Sequence, residues 1–186
     1  ATGICKGKGG SMHLVNPEWG LLGVSAIVAG TIPHAVGHAY AMKLKKKSVI
    51  TVAFFGDGAL DEGSTWESIN FAALKQLPIL FVLENNSLAV HTTQSTRQAS
   101  IDTLAKVEAF GLHDVRYFNS VLDFADILTT TQTVADLMRA EPSPTFMEIT
   151  TARWKEHVGP GDDFHLGYRT EQELKWWKDH DVLKTI

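Results

Sequence analysis

Two short apolar runs organise the chain. Residues 48–55, "SVITVAFF", are rich in β-branched and aromatic side chains and apolar at both alternating positions. That pattern predicts a central parallel strand covered on both faces. Residues 78–84, "PILFVLE", read the same way. Between them "GSTWESINFAALKQL" places Trp66, Ile69, Ala73 and Leu77 near helical spacing, with Pro78 as the expected stop. A strand, a helix and a strand in this order form a right-handed crossover unit of a parallel sheet. Upstream, "PHAVGHAYAMKLKKK" predicts a helix. Pro33 suits its first turn, and the lysines gather where the helix dipole favours cations. Downstream come a helix closed by Gly111, a strand "DVRYF", a long helix over 121–141, a strand "PTFMEITTAR" and a final helix "TEQELKWWKDH". The expected fold is α/β, a mostly parallel sheet with helices on both faces, built as a single domain over residues 1–186.

The fifteen residues 155–169, "KEHVGPGDDFHLGYR", combine glycine with charge and interrupt this alternation. A surface loop that long is a functional candidate. Composition narrows the field. The chain has 186 residues, 44% hydrophobic and 20% charged, with a net charge of -4. No basic footprint points to nucleic acid or an anionic membrane. The longest apolar-leaning stretch, 21–32, is broken by small and polar residues and is too short to span a bilayer. The single cysteine, Cys5, excludes an intramolecular disulfide and fits a reducing compartment. The opening "ATGICKGKGGSMH" reads like the interior of a domain, so the expectation is a chain truncated at its N-terminal side.

The candidate chemistry lies where the apolar runs stop. Ligands of open parallel sheets sit beyond the carboxyl ends of the strands. The first run stops at Gly56-Asp57-Gly58, the second at Asn85-Asn86. Glycines admit close backbone approach, and turn amides can bind phosphate. Asp57 offers a hard carboxylate oxygen, and the asparagines offer neutral amide oxygens. One carboxylate, one amide and one carbonyl suit a Mg²⁺ that keeps positions for phosphate oxygens and water. Each motif alone is commonly a plain turn. Their joint appearance on neighbouring strands, with 26 residues (59–84) between Gly58 and Asn85, is the specific signal.

Gly-Asp-Gly, this gap and Asn-Asn resemble the thiamine diphosphate binding motif. "GKGGSMHL", "SAIVAGTIPHAVGHA", "FFGDGALDEG", "NFAALKQLPILFVLENN" and "RWKEHVGPGDD" followed by "GYRTEQEL" resemble, in order, the alpha subunit of the dehydrogenase component of 2-oxo acid dehydrogenase complexes, the group of the pyruvate, branched-chain and acetoin enzymes. The likeness runs from about residue 7 to residue 177. It implies the thiamine diphosphate-binding fold, with thiamine diphosphate and Mg²⁺ as cofactors. It implies that Asp57, the Asn86 side chain and the Leu88 carbonyl hold Mg²⁺, and that Gly58 and Ala59 approach the diphosphate. Ala26 and Val28 would hold the aminopyrimidine through their main chains, and His157 would face the thiazolium in substrate or proton handling. The implied partners are a beta subunit, within a heterotetramer, and a lipoyl-bearing acyltransferase. The substrate would be a small 2-oxo acid or acetoin. The location would be the cytoplasm, or the mitochondrial matrix in a eukaryotic host.

The sequence departs from the family at several points. Leu88 stands where the family has tyrosine, and Ala26 where many members have glycine. "HVGPGDD" lacks the serine of the animal phosphorylation loop. The family's N-terminal segment, with groups that clamp the diphosphate, has no counterpart among these residues. "EGSTWE" resembles transketolases, so a transketolase-like carboligating enzyme remains a second reading. A non-catalytic scaffold of the same fold is a third. His34 and His38 are expected to pack or face water, as are His91, His113, His165 and His180. Asp162 and Asp163 are expected to solubilise or cap the loop, and Trp176 and Trp177 to dock the last helix.

Overall fold

The computed structural model describes residues 2–185. Four parallel strands build the sheet: β1 (Thr51–Gly56), β2 (Ile79–Asn85), β5 (Asp114–Phe118) and β6 (Thr145–Thr150), in the order β1-β2-β6-β5. Between β2 and β5 the chain makes a two-residue hairpin, β3 (Leu88–Ala89) with β4 (Thr92–Thr93). The helices are α1 (Thr31–Leu44), α2 (Gly63–Lys75), the single turn α3 (Gln94–Arg97), α4 (Thr103–Ala109), α5 (Phe124–Ala140), α6 (Glu171–Asp179) and α7 (Val182–Thr185). All four expected strands and all of the long helices are present, and helices lie on both faces. The short hairpin and α3 had no signature in the apolar pattern.

The connections explain the layering. The chain steps from β1 to its neighbour β2, crosses beyond β6 to β5, then turns back to β6. Right-handed crossovers place helices on one face while the chain advances and on the other when it reverses. Accordingly Ile32, Val36 and Ala39 of α1 and Ile69, Ala72 and Ala73 of α2 bury one face, with Val107 of α4, against Ala53, Phe55, Phe81, Leu83 and Phe146. Val134 and Met138 of α5 cover Leu80, Val82 and Met147 on the other. Gln76, left-handed at φ 48°, ends α2 two residues before Pro78.

One expectation fails. β2 is buried on both faces, but β1 is the sheet's edge, and its residues alternate between buried and exposed. Val52 and Phe54 are 39% and 64% exposed. α5 lies over β2 and β6 and does not reach them, so apolar residues at both alternating positions do not here mean cover on both sides.

The asymmetry has a measurable consequence. Phe146 is fully buried, edge-on to Phe55 with ring centroids 6.2 Å apart. Phe146→Ala is expected to cost about 3–5 kcal/mol, read as a lowered urea midpoint. Phe54→Ala on the open face of β1 should change stability by no more than about 0.5 kcal/mol.

Candidate functional site

The register of β1 on β2 pairs Gly56 with Glu84, so the Asp57 turn and the Asn85-Asn86 pair leave the sheet at the same level. Asp57 opens a 3-10 turn, Asp57–Asp61, that leads into α2. The first turn of α2 fastens it. Thr65 Oγ1 donates to the Ala59 carbonyl at 2.6 Å, and Trp66 Nε1 to the Leu60 carbonyl at 2.8 Å. Gly58 packs closely on β3: a Cβ there would lie 3.0 Å from the Ala89 Cβ, so a side chain would need that strand to give way. The close approach is to β3, which presses the Asp57 turn against the strand that begins at Leu88.

Asp57 is 1% exposed. Its Oδ2 accepts from Arg97, while its Oδ1 is buried with no hydrogen-bond partner. Asn86 Oδ1 accepts from the Leu88 amide at 2.9 Å and keeps a second lone pair. Asn85 has a different task. Its amide nitrogen donates to Glu148 Oε1 at 2.6 Å, and its Oδ1 accepts from the Ser87 amide at 2.8 Å. Burial pushes the Glu148 carboxyl up. The Asn85 amide and Lys106 oppose that rise, while the charges of Asp102 and Asp57 add to it. Glu148 comes from β6 and was not singled out in the sequence. Its signal, an acid inside an apolar strand, is present in "FMEIT".

α1 brings a third segment to this edge. Lys43 Nζ, at its C-terminal end, donates to the carbonyls of Lys75 and Gln76 at 2.8 and 2.7 Å, just before β2 begins. The helix therefore runs against the strands, and the turn before it lies at their carboxyl ends. Ala26 and Val28 lie in that turn and are exposed. His38 Nδ1 meets Thr51 Oγ1 at 2.9 Å, so it has the packing role expected of it.

His157 is exposed. It lies in a loop that Glu156 and Gly161 close into a small ring. The Gly161 amide donates to Glu156 Oε1 at 2.9 Å, and the Glu156 amide donates to the Gly161 carbonyl at 3.1 Å. Gly159 is needed for its φ of 121°, which L side chains rarely adopt, and a Cβ there would also displace the Glu156 carboxylate from the ring. At the loop's base Asp163 is 1% exposed and its side chain caps no helix, so it is neither the solubilising nor the capping side chain expected of it. It accepts from Tyr168, Arg169 and Arg153. Burial alone would raise its carboxyl. The Tyr168 hydroxyl and the two arginines outweigh that and hold it at about 2. These partners lie five, six and ten residues from Asp163 on an irregular segment, where periodicity gives no warning.

Arg153 also donates to the Val90 carbonyl at 3.1 Å. Val90 stands in the β3–β4 turn at φ 56°, a left-handed conformation unfavourable for a β-branched residue. The His157 loop is thereby tied to the hairpin that carries Leu88. A cleft of about 190 Å³ lies between them, lined by Asn86, Leu88, Arg153, Arg169, Glu173 and Trp177. Leu174 docks α6 with Trp177 partly buried, whereas Trp176 faces outward and stacks on His180. No group of three His, Cys, Asp or Glu side chains comes together for a metal among the described residues. Asp57, Asn86 and Leu88 carry oxygens on the two segments that leave the sheet at the same level.

The fold is that of thiamine diphosphate enzymes. A transketolase from Pichia stipitis superposes with a TM-score of 0.59 at 20% identity, over 69% of this chain and 20% of that one. A candidate thiamin diphosphate-dependent enzyme from Mycobacterium smegmatis gives 0.51 at 25% identity, over 66% and 22%. The family model described as "Dehydrogenase E1 component" matches residues 1–186, and the chain belongs to that family. The pyruvate dehydrogenase E1 component subunit alpha of Rickettsia prowazekii is 33% identical over 186 residues, all of this chain and 56% of that protein. Its namesake from Zymomonas mobilis is 34% identical over 190 residues, covering 100% and 51%. The chloroplastic alpha-3 subunit of Arabidopsis thaliana is 34% identical over 84% of this chain and 37% of its own. The chain thus spans about half the length of the bacterial relatives it matches.

Asp163→Asn leaves two largely buried arginines without their charge partner and is expected to cost about 3 kcal/mol. The native carboxyl's stabilisation is full above its ordinary value of 3.8 and is lost as pH falls toward 2. Thermal melts should therefore show the parent losing stability over that interval more steeply than the variant.

Proposed function

We propose that this chain is the alpha-type part of a thiamine diphosphate- and Mg²⁺-dependent 2-oxo acid dehydrogenase. In this reading a beta-type partner completes the site, and the acyl group passes to a lipoyl-bearing acyltransferase. One observation carries the reading: the partnerless, buried Oδ1 of Asp57, at the carboxyl end of β1 and packed beside the Leu88 strand. A buried carboxylate oxygen with no donor is unfavourable unless a cation meets it. Membership of the E1 family, and relatives named pyruvate dehydrogenase alpha subunits, make pyruvate the leading substrate. The cleft beside Asn86 and Leu88, at about 190 Å³, falls below the roughly 300–1,000 Å³ of a self-contained ligand pocket. That is consistent with a cofactor shared between chains.

The residues fit the cofactor. Asp57 Oδ1, Asn86 Oδ1 and the Leu88 carbonyl would hold Mg²⁺ through three oxygens, leaving its other positions to phosphate and water. Leucine at 88 serves as well as tyrosine, since only its carbonyl is used. The Gly58 and Ala59 main chain would approach the diphosphate, and the main chain at Ala26 and Val28 would support the aminopyrimidine. When bound, the thiazolium ring supplies the nucleophilic carbon and electron sink for loss of CO₂ from a 2-oxo acid. His157, presented by the Glu156–Gly161 ring, would orient the substrate carboxylate or move a proton. Calorimetry on the whole protein with its partner chains tests the assignment. Asp57→Asn should weaken binding of thiamine diphosphate with Mg²⁺ by more than about 100-fold, on the order of 3 kcal/mol. Undiminished binding rules the assignment out.

A further inference from the structure

Arg97 has no part in any of the motifs, yet its guanidinium reaches the middle of the site. Its side chain is 12% exposed. It donates to Asp57 Oδ2 and to Asp61 Oδ2, and its Nε donates to the Thr92 carbonyl of β4 at 3.2 Å. We propose that Arg97 is a positioning residue for the metal. It holds one oxygen of Asp57 so that the other, Oδ1, is the oxygen offered to the cation. The inference rests on the cofactor reading above and adds a residue to it.

Three observations lead there. First, the two oxygens of Asp57 are unlike: one is engaged by Arg97, and the other is buried and free. Turning the carboxylate out of this plane would break the Arg97 bond, and a half-turn only exchanges its two equivalent oxygens, so the direction in which the free oxygen points is set before a cation arrives. Second, Asp57 and Asp61 share one short turn, where two like charges repel. A planar guanidinium between them offsets that and can bond both carboxylates at once, which an ammonium does poorly. Third, the network continues across the site. Gln98 Nε2 donates to Asp61 at 2.8 Å, and Lys106 Nζ donates to Gln98 Oε1 at 2.8 Å. Gln94 Nε2 donates to Gln98, and Asn85 Nδ2 donates to Gln94 Oε1, each at 3.3 Å. This chain of bonds runs from the Asp57 turn to Asn85, the neighbour of Asn86. The two glutamines thus add a side-chain link between the Asp57 turn and the Asn85-Asn86 segment, beside the link that Arg97 makes from Asp57 to the hairpin.

The test uses Mn²⁺ as a spectroscopic probe on the whole protein with its partner chains, at saturating thiamine diphosphate. Free Mn²⁺ is read by electron paramagnetic resonance, so no turnover is involved. Arg97→Gln should raise the Mn²⁺ Kd by about 10–100-fold, the usual range when a residue that orients a metal ligand is lost. Arg97→Lys should fall between the two, since it keeps the charge and loses the fork. Melting curves without metal report whether each variant is folded, and Arg97→Lys carries the test if Arg97→Gln is not. Mn²⁺ binding by Arg97→Gln as tight as the parent's, or tighter, overturns the proposal, because Arg97 would then be a bystander or a competitor. An Arg97→Lys variant indistinguishable from the parent overturns it too. A parent protein that binds no Mn²⁺ at all removes the cofactor reading itself, and this inference with it.

Discussion

Parallel pairing of β1 with β2 is the contact on which the site depends. It sets Gly56 opposite Glu84, so two polar breaks that are far apart in sequence leave the sheet side by side. A slip of one residue would turn Phe55 away from α1 and α2 and displace Asp57 from the Asn86 side. The apolar face therefore secures the chemistry indirectly. Phe55, Phe81 and Phe146 pack together under the helices, and their burial disfavours other registers.

Beyond the sheet edge, apolar packing gives way to charge and hydrogen bonds. Two buried aspartates organise this region, each with arginine partners. Asp57 and Arg97 join the turn after β1 to the hairpin. Asp163, with Arg153 and Arg169, joins the His157 loop to the same hairpin through Val90. The hairpin, only two residues per strand, is thus gripped from both sides, which accounts for a conformation at Val90 that the residue itself disfavours. Buried ion pairs seldom add much net stability, but removing one partner is costly. Their use here is to hold irregular backbone in one arrangement where a continuous apolar core does not reach.

How much of this could be read from the sequence follows the range of the interactions. The strands, the long helices and the two polar breaks were legible, because runs, periods and motifs are local. Asp57 and Asn86 were legible by the pairing of two weak motifs, and their neighbourhood follows from strand pairing. The hairpin was not, since two-residue strands carry no period. Arg97 and the buried state of Asp163 were not, since each is defined by partners elsewhere in the fold, and Glu148 showed only as an acid inside an apolar strand, with nothing local to name its partner Asn85. β1 misled for a different reason. Its apolar residues at alternating positions suit cover on both faces, but α5 lies over β2 and β6 and leaves Val52 and Phe54 in the open.

That open face and the half-formed cleft belong to one physical situation. Val28 in the turn before α1, and Phe54 on the opposite, uncovered face of β1, both put apolar surface into water. In this chain the polar jaw is pre-organised by buried bonds, while the apolar surroundings that would exclude water from a reacting centre are not. A cofactor whose diphosphate end needs fixed oxygens and whose reactive ring needs a dry pocket matches that division. In the proposed reading Asp57, Asn86 and the Leu88 carbonyl would supply the first, and a partner chain would supply the second.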